Sequence, residues 1–247
     1  MGAMTKRLLL ASASPARKAT LIAAGITPTI AVADLDEDAL LAANPGRDAA
    51  GQVELLATAK ARVIADELRR HAELGGQEPS GLEPGGLEPG AHEAGGREPG
   101  GREPGALGEP APTVVVGCDS MLEMNGQIVG KPHTAEVARE RLRAMSGNPG
   151  DLHTGHCVID LESGELAVGT STTTVYIAEL TDADIEAYIA TGEPLKVAGS
   201  FTIDGYGGPF VDKIEGDHHG VVGISLPLLR HLLADLGHSI TEFWNER

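Results

Sequence analysis

Apolar and polar positions alternate along the chain in a way that predicts strands and helices in turn. Period-two or continuous apolar runs predict strands at residues 8–10, 113–118, 126–130, 156–161 and 170–180. Helical spacing and capping residues predict helices at residues 15–24, 52–72, 135–145, 182–191 and 226–237. The last two strands flank a turn at Ser163-Gly164 and are expected to pair. This mixture predicts an α/β fold with a mixed sheet instead of a strict strand–helix–strand series.

The start of the first helix is the most informative polar segment. Ser14 is a good N-cap, and Pro15 suits the first helical position. Free backbone N–H groups and the positive end of the helix dipole lie there, beside the hydroxyl of Ser12 and the cation of Arg17. The segment is therefore interpreted as an anion site, with phosphate as the expected anion. An ordinary capped helix with solvated Arg17 and Lys18 is the alternative.

A glycine- and proline-rich segment interrupts the pattern. Residues 77–106 repeat a five-residue unit of the approximate form x-Glu-Pro-Gly-Gly. Gly and Pro at this density propagate neither helix nor strand, and little apolar surface offsets the entropy of ordering. Residues 73–112 are therefore predicted to be a disordered low-complexity insertion in a surface loop. A partner-binding tail is the alternative.

Composition excludes several classes of function. The 247 residues are 41% hydrophobic, which suffices for one sizeable domain or two small lobes. A net charge of −17 argues against a nucleic-acid polymer as partner, and 3% aromatic residues argue against a stacking platform for single strands. Apolar runs are too short for a membrane span or a signal peptide core. Both cysteines lie in apolar strand-like runs, which predicts a cytoplasmic, reduced protein.

Three charged residues are candidates for phosphate chemistry. Asp119 follows the predicted strand of residues 113–118, a position that suits a metal ligand or general base. Lys131, between Gly130 and Pro132, is a candidate phosphate clamp. Lys60 lies in a helix among alanines and gives a weaker signal. The alternatives are a turn-forming aspartate and solvated lysines.

Two acidic segments and one glycine-rich segment complete the candidates. Residues 34–38 could supply a carboxylate for magnesium, although charge runs are more often solvated. Residues 215–220 hold adjacent histidines, but neighbours in sequence rarely ligate one zinc ion. Residues 196–208 could approach a base or sugar closely. Nucleotide-binding glycine motifs and nucleophile elbows are absent from the sequence. Cations and carboxylates are left, and such a set fits metal-assisted attack of water on a phosphoanhydride.

Taken together and in their order, these segments resemble the Maf family of nucleoside triphosphate pyrophosphatases. The resemblance covers nearly everything outside the repeat. The matching segments are Leu10-Ala11-Ser12-Ala13-Ser14-Pro15-x-Arg17, Asp36-Glu37, Ala57-x-x-Lys60-Ala61, Val116-Gly117-Cys118-Asp119-Ser120, Gly130-Lys131-Pro132, Ser146-Gly147, Thr154-Gly155, Ala198-Gly199-Ser200-Phe201, Ile214-Glu215-Gly216-Asp217 and Val222-Gly223-x-x-Leu226-Pro227.

The resemblance implies a homodimer with a mixed twisted sheet and helices. It also implies a single domain over residues 5–247, with two lobes around a cleft, related to inosine triphosphatases. The implied reaction hydrolyses a nucleoside triphosphate to the monophosphate and pyrophosphate with Mg²⁺, or Mn²⁺ as an alternative. Asp119 would be the proton acceptor. The residues implied to line the triphosphate are Ser12, Ser14, Arg17, Lys60 and Lys131. The residues implied to hold the metal are Glu37, Asp119, Glu215 and Asp217.

Departures from the family pattern concern the base. In the pyrimidine-preferring branch an arginine, a threonine and a glutamine help to select it, and this chain has Ala16, Ser120 and Asp204 there. Asn148 and Gly150 stand where Arg and His are usual, and Gly220 where Asn is usual. A preference for dTTP or UTP therefore does not follow. Asp204 would favour a base that presents hydrogen-bond donors, as guanine does.

Two further interpretations remain open from the sequence. The protein could be a nucleotide-sensing regulatory protein, with the repeat as a partner-binding segment, since the family is associated with arrest of cell division. It could also hydrolyse inosine or xanthosine triphosphate, which differs from the first interpretation only in substrate.

Overall fold

Residues 6–73, 111–130, 132–195 and 197–245 are described by the structure, a computed structural model. The predicted insertion at residues 73–112 lies almost wholly outside this part of the chain. Lys131, the predicted phosphate clamp, also lies outside it. None of the helices in the described ranges is both long and apolar enough to cross a membrane.

Strands and helices succeed one another along the chain, and the mixed α/β class predicted from the sequence is confirmed. The strands are β1 (Leu8–Ala11), β2 (Thr29–Ala31), β3 (Val114–Met124), β4 (Gln127–Val129), β5 (Pro149–Asp160), β6 (Leu166–Ile177) and β7 (Val211–Glu215). The helices are α1 (Pro15–Ala23), α2 (Glu37–Ala42), α3 (Ala49–Glu73), α4 (Ala135–Met145), α5 (Asp182–Ala190), α6 (His218–Val222) and α7 (Leu226–Asp235). Short 3-10 turns cover Ala198–Ser200, Gly208–Phe210 and Ile240–Phe243.

Side-chain caps explain where four helices begin. The side chains of Ser14, Thr134, Thr181 and Ser225 each accept a hydrogen bond from the backbone N–H three residues later. Each such cap typically contributes about 1 kcal/mol. The four N-caps predicted from the sequence are therefore confirmed.

Seven strands form one mixed sheet in the order β2-β1-β3-β5-β6-β7, and β4 pairs with β3. β1 is parallel to β2 and β3, whereas the other pairs are antiparallel. Pairing of β1 with β3 ends at Gly117, and pairing of β4 with the same edge begins at Leu122. Among the described residues, positions 118–121 of β3 therefore have no strand on that edge. We call this gap the notch.

The sequence predicted that Asp119 follows the end of its strand, and this prediction is wrong, because β3 continues to Met124. Its antiparallel pairing with β5 runs through Asp119↔Gly155 to Glu123↔Asp151. The parallel neighbour β1, and not β3, ends at this level. Asp119 thus lies in the middle of a long strand, beside the carboxyl end of β1.

The acidic segments interpreted as loops or metal ligands begin two short helices. The Asp36 side chain accepts a hydrogen bond from Ala39 and caps α2. The Asp217 side chain accepts from His219 and Gly220 and caps α6. Helices of six and five residues are too short to show a hydrophobic period, so sequence analysis missed them.

Three apolar clusters hold the sheet and helices together. The first joins β1 and β3 to α1 and α7 on one face, through Leu8, Leu10, Leu21, Val116 and Leu229. The second packs α3 on the other face, through Ala57, Ala61, Val115 and Cys157. The third lies between the far ends of β3, β5 and β6 and the helices α4 and α5, through Leu122, Leu142, Val175 and Ile185. The division of one domain into two lobes stays a prediction.

A buried histidine links β5 to α7. The backbone N–H of Ser225 donates to His156 Nε2 over 2.8 Å, so the ring proton is on Nδ1, which donates to the Thr154 carbonyl over 3.0 Å. Burial lowers the pKa of His156 to about 4, against an ordinary value of 6.5. The folded protein therefore keeps this ring neutral at pH values where the unfolded chain protonates it.

We predict that the free energy of unfolding falls by up to about 3 kcal/mol as pH drops from 6.5 to 4, because only the unfolded chain takes up this proton. Urea denaturation at several pH values measures the effect. His156→Asn should be less stable at pH 7 but should show a shallower pH dependence. His231→Asn, at an exposed position of α7, is the control. An equal slope in wild type and His156→Asn would contradict the assignment.

Candidate functional site

Arg17 lies across the notch and connects α1, β3 and the end of α6. Its Nε donates to the Gly223 carbonyl over 2.8 Å. Its Nη1 donates to Ser12 Oγ and to the Cys118 carbonyl, both over 3.0 Å, and Nη2 donates to Ser120 Oγ over 3.1 Å. These bonds use four of the five guanidinium N–H groups, so one is left for a ligand among the described contacts. Arg17 is thus a bridge within the protein as well as a cation at the site.

The two hydroxyls before α1 are held in fixed positions. Ser12 is 9% exposed, and its Oγ accepts from Arg17 and from the Ser14 backbone N–H. Ser14 Oγ accepts from the Arg17 backbone N–H. A hydroxyl carries one donor hydrogen and two acceptor lone pairs. Both serines therefore keep an O–H that can donate to an anion at the start of α1.

Lys60 brings the two predicted carboxylates Asp119 and Glu37 together. Lys60 Nζ lies 2.5 Å from Asp119 Oδ1 and 2.8 Å from Glu37 Oε1. The side chains of Lys60 and Asp119 are 14% and 12% exposed, so water screens this pair less than a surface ion pair. Three elements, α2, α3 and β3, thus meet at one ammonium group.

Close packing of α3 on β3 places Lys60. A Cβ atom on Gly117 would overlap the carbonyl oxygen of Ala57. Ala57 and Ala61, one helical turn apart, are fully buried against the sheet. Glycine on the strand and alanine on the helix are therefore needed to bring Lys60 within reach of Asp119.

Ser120 belongs to a hydrogen-bond chain that sequence analysis missed. Ser120 Oγ lies 2.9 Å from Thr154 Oγ1, and Thr154 donates to the Gly220 carbonyl over 2.8 Å. Thr154 is fully buried on β5, between a histidine and a glycine. These neighbours gave no local signal that its side chain is buried. The chain holds Ser120 against Arg17 and fixes the loop at α6.

Glu215 and Asp217 are not brought together with Glu37 and Asp119. Glu215, exposed on β7, is paired with Lys213 and accepts from Tyr176 OH over 3.1 Å. Asp217 is engaged in capping α6. Among the residues that the structure describes, no three His, Cys, Asp or Glu side chains form a group that could hold a metal. Glu215 and Asp217 thus have hydrogen-bond or ion-pair partners of their own, and the predicted set of four carboxylate ligands stays a prediction.

The remaining predicted residues have simpler positions. Ala16 is the second residue of α1, and Asp204 is exposed in the loop after the first 3-10 turn. Their roles in specificity stay predictions. Burial raises the pKa of the Cys118 thiol to about 12, so this neighbour of Asp119 is a hydrophobic residue and not a nucleophile.

Comparison with known proteins points to one family. The sequence profile of the Maf-like protein family matches residues 7–236. The chain is 44% identical over 245 residues to a nucleoside triphosphate pyrophosphatase of Nocardia farcinica, covering 98% of each chain. It is 44% identical to one of Streptomyces coelicolor, covering 97% of this chain and 95% of the relative. It is 40% identical to one of Nostoc punctiforme, covering 96% of each chain.

We predict that Arg17→Lys lowers the free energy of unfolding by about 2–4 kcal/mol, because an ammonium group cannot reproduce the forked contacts to Ser12, Ser120 and two carbonyls. Lys18→Ala, one residue away on α1, should change stability by about 0.5 kcal/mol or less. Urea denaturation compares the two variants. Equal stabilities would show that Arg17 does not serve as a bridge.

Proposed function

The chain belongs to the Maf-like protein family, and from this membership we propose that it is a nucleoside triphosphate pyrophosphatase. The reaction would convert a nucleoside triphosphate and water to the monophosphate and pyrophosphate. The proposal rests on one observation above all. Lys60 holds the carboxylates of Asp119 and Glu37 beside the notch, where Arg17 and the start of α1 supply donors for phosphate.

Asp119 is the proposed proton acceptor. Its carboxylate would take a proton from the water whose oxygen attacks the α-phosphorus, and the bond from that phosphorus to the bridging oxygen would break. Lys60 orients the carboxylate through the contact with Oδ1. Pyrophosphate would leave with the bonding electrons, and nearby cations would offset its charge.

Positive and hydrogen-bonding groups around the notch would bind the triphosphate. Arg17 has a remaining N–H, Ser12 and Ser14 have free O–H groups, and Lys60 is the ammonium nearest to Asp119. Lys131 follows Gly130 at the end of the β4 segment and is proposed as a further clamp on sequence grounds. In a chain of net charge −17, these few cations have to be concentrated at one place.

A divalent ion fits the pair of Glu37 and Asp119. Proteins bind Mg²⁺ through one or two carboxylates, with water and substrate phosphate oxygens as the other ligands. We therefore propose Mg²⁺, with Mn²⁺ as the alternative, held first by these two residues, with Glu215 and Asp217 as the further ligands that the family resemblance implies. When bound, the ion would neutralise phosphate charge and orient the substrate.

We also propose a homodimer, which the family resemblance implies, and a cytoplasmic location, which the cysteines indicate. Both cysteines are free and buried, which supports a reducing compartment.

We predict that Asp119→Asn folds normally but lowers turnover by at least about 100-fold, because the amide cannot accept the proton of the attacking water. The assay uses a panel of nucleoside triphosphates with Mg²⁺ or Mn²⁺ and identifies pyrophosphate or orthophosphate as product. Asp151→Asn, an exposed aspartate on β5, is the matched control. Near wild-type turnover of Asp119→Asn would exclude the assigned role, and orthophosphate as the product would exclude a pyrophosphatase.

We also propose that Asp204 favours bases that present donors, as guanine does, because an exposed carboxylate only accepts hydrogen bonds. Asp204→Asn should reduce the preference for GTP over UTP and dTTP by about 10-fold, the value of one lost hydrogen bond. The measurement compares kcat/KM for GTP, 7-methyl-GTP, UTP and dTTP. Asp212→Asn, exposed on β7, is the control. An unchanged preference would reject the proposal.

A further inference from the structure

Few aromatic side chains are available for contact with a ligand. The chain has three Phe, three Tyr and one Trp. Most of them pack within the protein, since Tyr188, Phe201 and Phe243 are buried, Phe210 packs against Tyr188, and Lys213 lies over the Tyr176 ring. Tyr206 is 70% exposed and Trp244 is 47% exposed. Trp244 lies beside Gly25, past the end of α1 that is remote from Ser14.

Glu193 holds the backbone of Tyr206 in place. Its carboxylate accepts from Thr202 Oγ1 over 2.5 Å and from Tyr188 OH over 2.9 Å. It also accepts from the backbone N–H groups of Tyr206 and Gly207, both over 3.0 Å. Burial opposes ionisation of Glu193, but these hydrogen bonds outweigh it and lower its pKa. The loop at residues 202–207 is therefore tied at both ends to one carboxylate.

Glycine makes this loop compact. A Cβ atom on Gly207 would lie 2.5 Å from the Thr202 carbonyl oxygen and 2.6 Å from Tyr188 OH. A side chain at this position would push apart the two chain segments that form the loop. Tyr206 thus projects an exposed ring from a backbone that is already ordered, and little entropy remains to be lost there when a ligand binds.

The segment that leads into this loop packs next to the notch. Gly199, in the 3-10 turn Ala198–Ser200, lies so close to β3 that a Cβ atom would be 2.8 Å from Leu122 Cδ2. Leu122 is two residues after Ser120, on the same face of β3 and about 6.6 Å along the strand. The opposite face of the sheet carries Asp119 and its strand partner Gly155. Helix α3 covers that face, since Gly155 lies against the backbone of Val53 in α3. The face that carries Ser120 and Leu122 therefore leads from the phosphate site towards the loop.

From these observations, and resting on the proposed function, we propose that Tyr206 is the stacking surface for the base of the nucleoside triphosphate. Every base has a π-face, so stacking on Tyr206 would not choose among bases. It would instead favour nucleoside triphosphates over inorganic polyphosphates. Choice among bases would then depend on hydrogen-bonding groups such as Asp204.

Binding of two probes tests the inference. α,β-Methylene GTP carries a base and resists hydrolysis between its α- and β-phosphorus atoms, whereas inorganic tripolyphosphate has phosphates alone. Tyr206→Ala should weaken binding of the nucleotide analogue about 5-fold to 100-fold, since stacking of one base on an aromatic ring has this value. Its affinity for tripolyphosphate should change by less than about 2-fold, because the phosphate contacts are intact.

Conservative and remote variants separate stacking from a structural effect. Tyr206→Phe should keep the nucleotide affinity of the wild type. Trp244→Ala, at the other exposed aromatic residue, should leave the affinities for nucleotide and for tripolyphosphate unchanged. With hydrolysable substrate, Tyr206→Ala should raise KM and leave kcat within about 3-fold.

Three results would overturn the inference. Unchanged nucleotide affinity in Tyr206→Ala would show that the ring does not contact the base. An equal loss of nucleotide and tripolyphosphate affinity would show a structural effect. If wild type bound neither probe and hydrolysed no nucleotide, the proposed function would fail and the inference with it, whereas the first two results would leave that function intact.

Discussion

The close approach of α3 to β3 is the constraint on which the site depends. Gly117 leaves room for the helix backbone, and Ala57 and Ala61 pack flat against the strand. Lys60 then reaches both Asp119 and Glu37 from one position. A larger residue at Gly117 would push the helix away from the strand and separate the ammonium group from the carboxylates. The contact of Lys60 with the two carboxylates thus depends on the small residues Gly117, Ala57 and Ala61.

The sheet supplies the second requirement, a gap in which polar groups can meet. β1 ends at Ala11 while β3 continues, and β4 takes up the same edge only from Leu122. The change from a parallel to an antiparallel neighbour leaves four residues of β3 without a strand partner on that edge. Arg17 partly closes this gap by donating to the Cys118 carbonyl, which would otherwise have no strand partner there. A carboxylate in mid-strand can therefore face a ligand without ending its strand.

Local sequence signals predicted much of this arrangement. Features that depend on residues distant in sequence were not predicted. The caps at Ser14, Thr134, Thr181 and Ser225 depend on neighbours within three residues, so the sequence alone located them. The family resemblance assigned Lys60 and Asp119 to one site, but it did not predict the ion pair between them. The length of β3 depends on its pairing with β5, 28 to 46 residues away in sequence, and no local pattern contains it. Asp36 and Asp217 were assigned to metal or loops because a carboxylate that caps a short helix looks the same in sequence as one that binds a cation.

The long helix also determines where the chain tolerates added length. Lys60 is followed by 13 further residues of α3, the last of which is Glu73, a distance of about 20 Å at 1.5 Å per residue. β3 begins at Val114, five residues before Asp119, or about 17 Å along the strand. The described residues on either side of the glycine- and proline-rich repeat, Glu73 and Val114, are therefore remote from the reacting groups. A change in the length of the chain between Glu73 and Val114 therefore leaves Lys60, Asp119 and the residues around the notch in place.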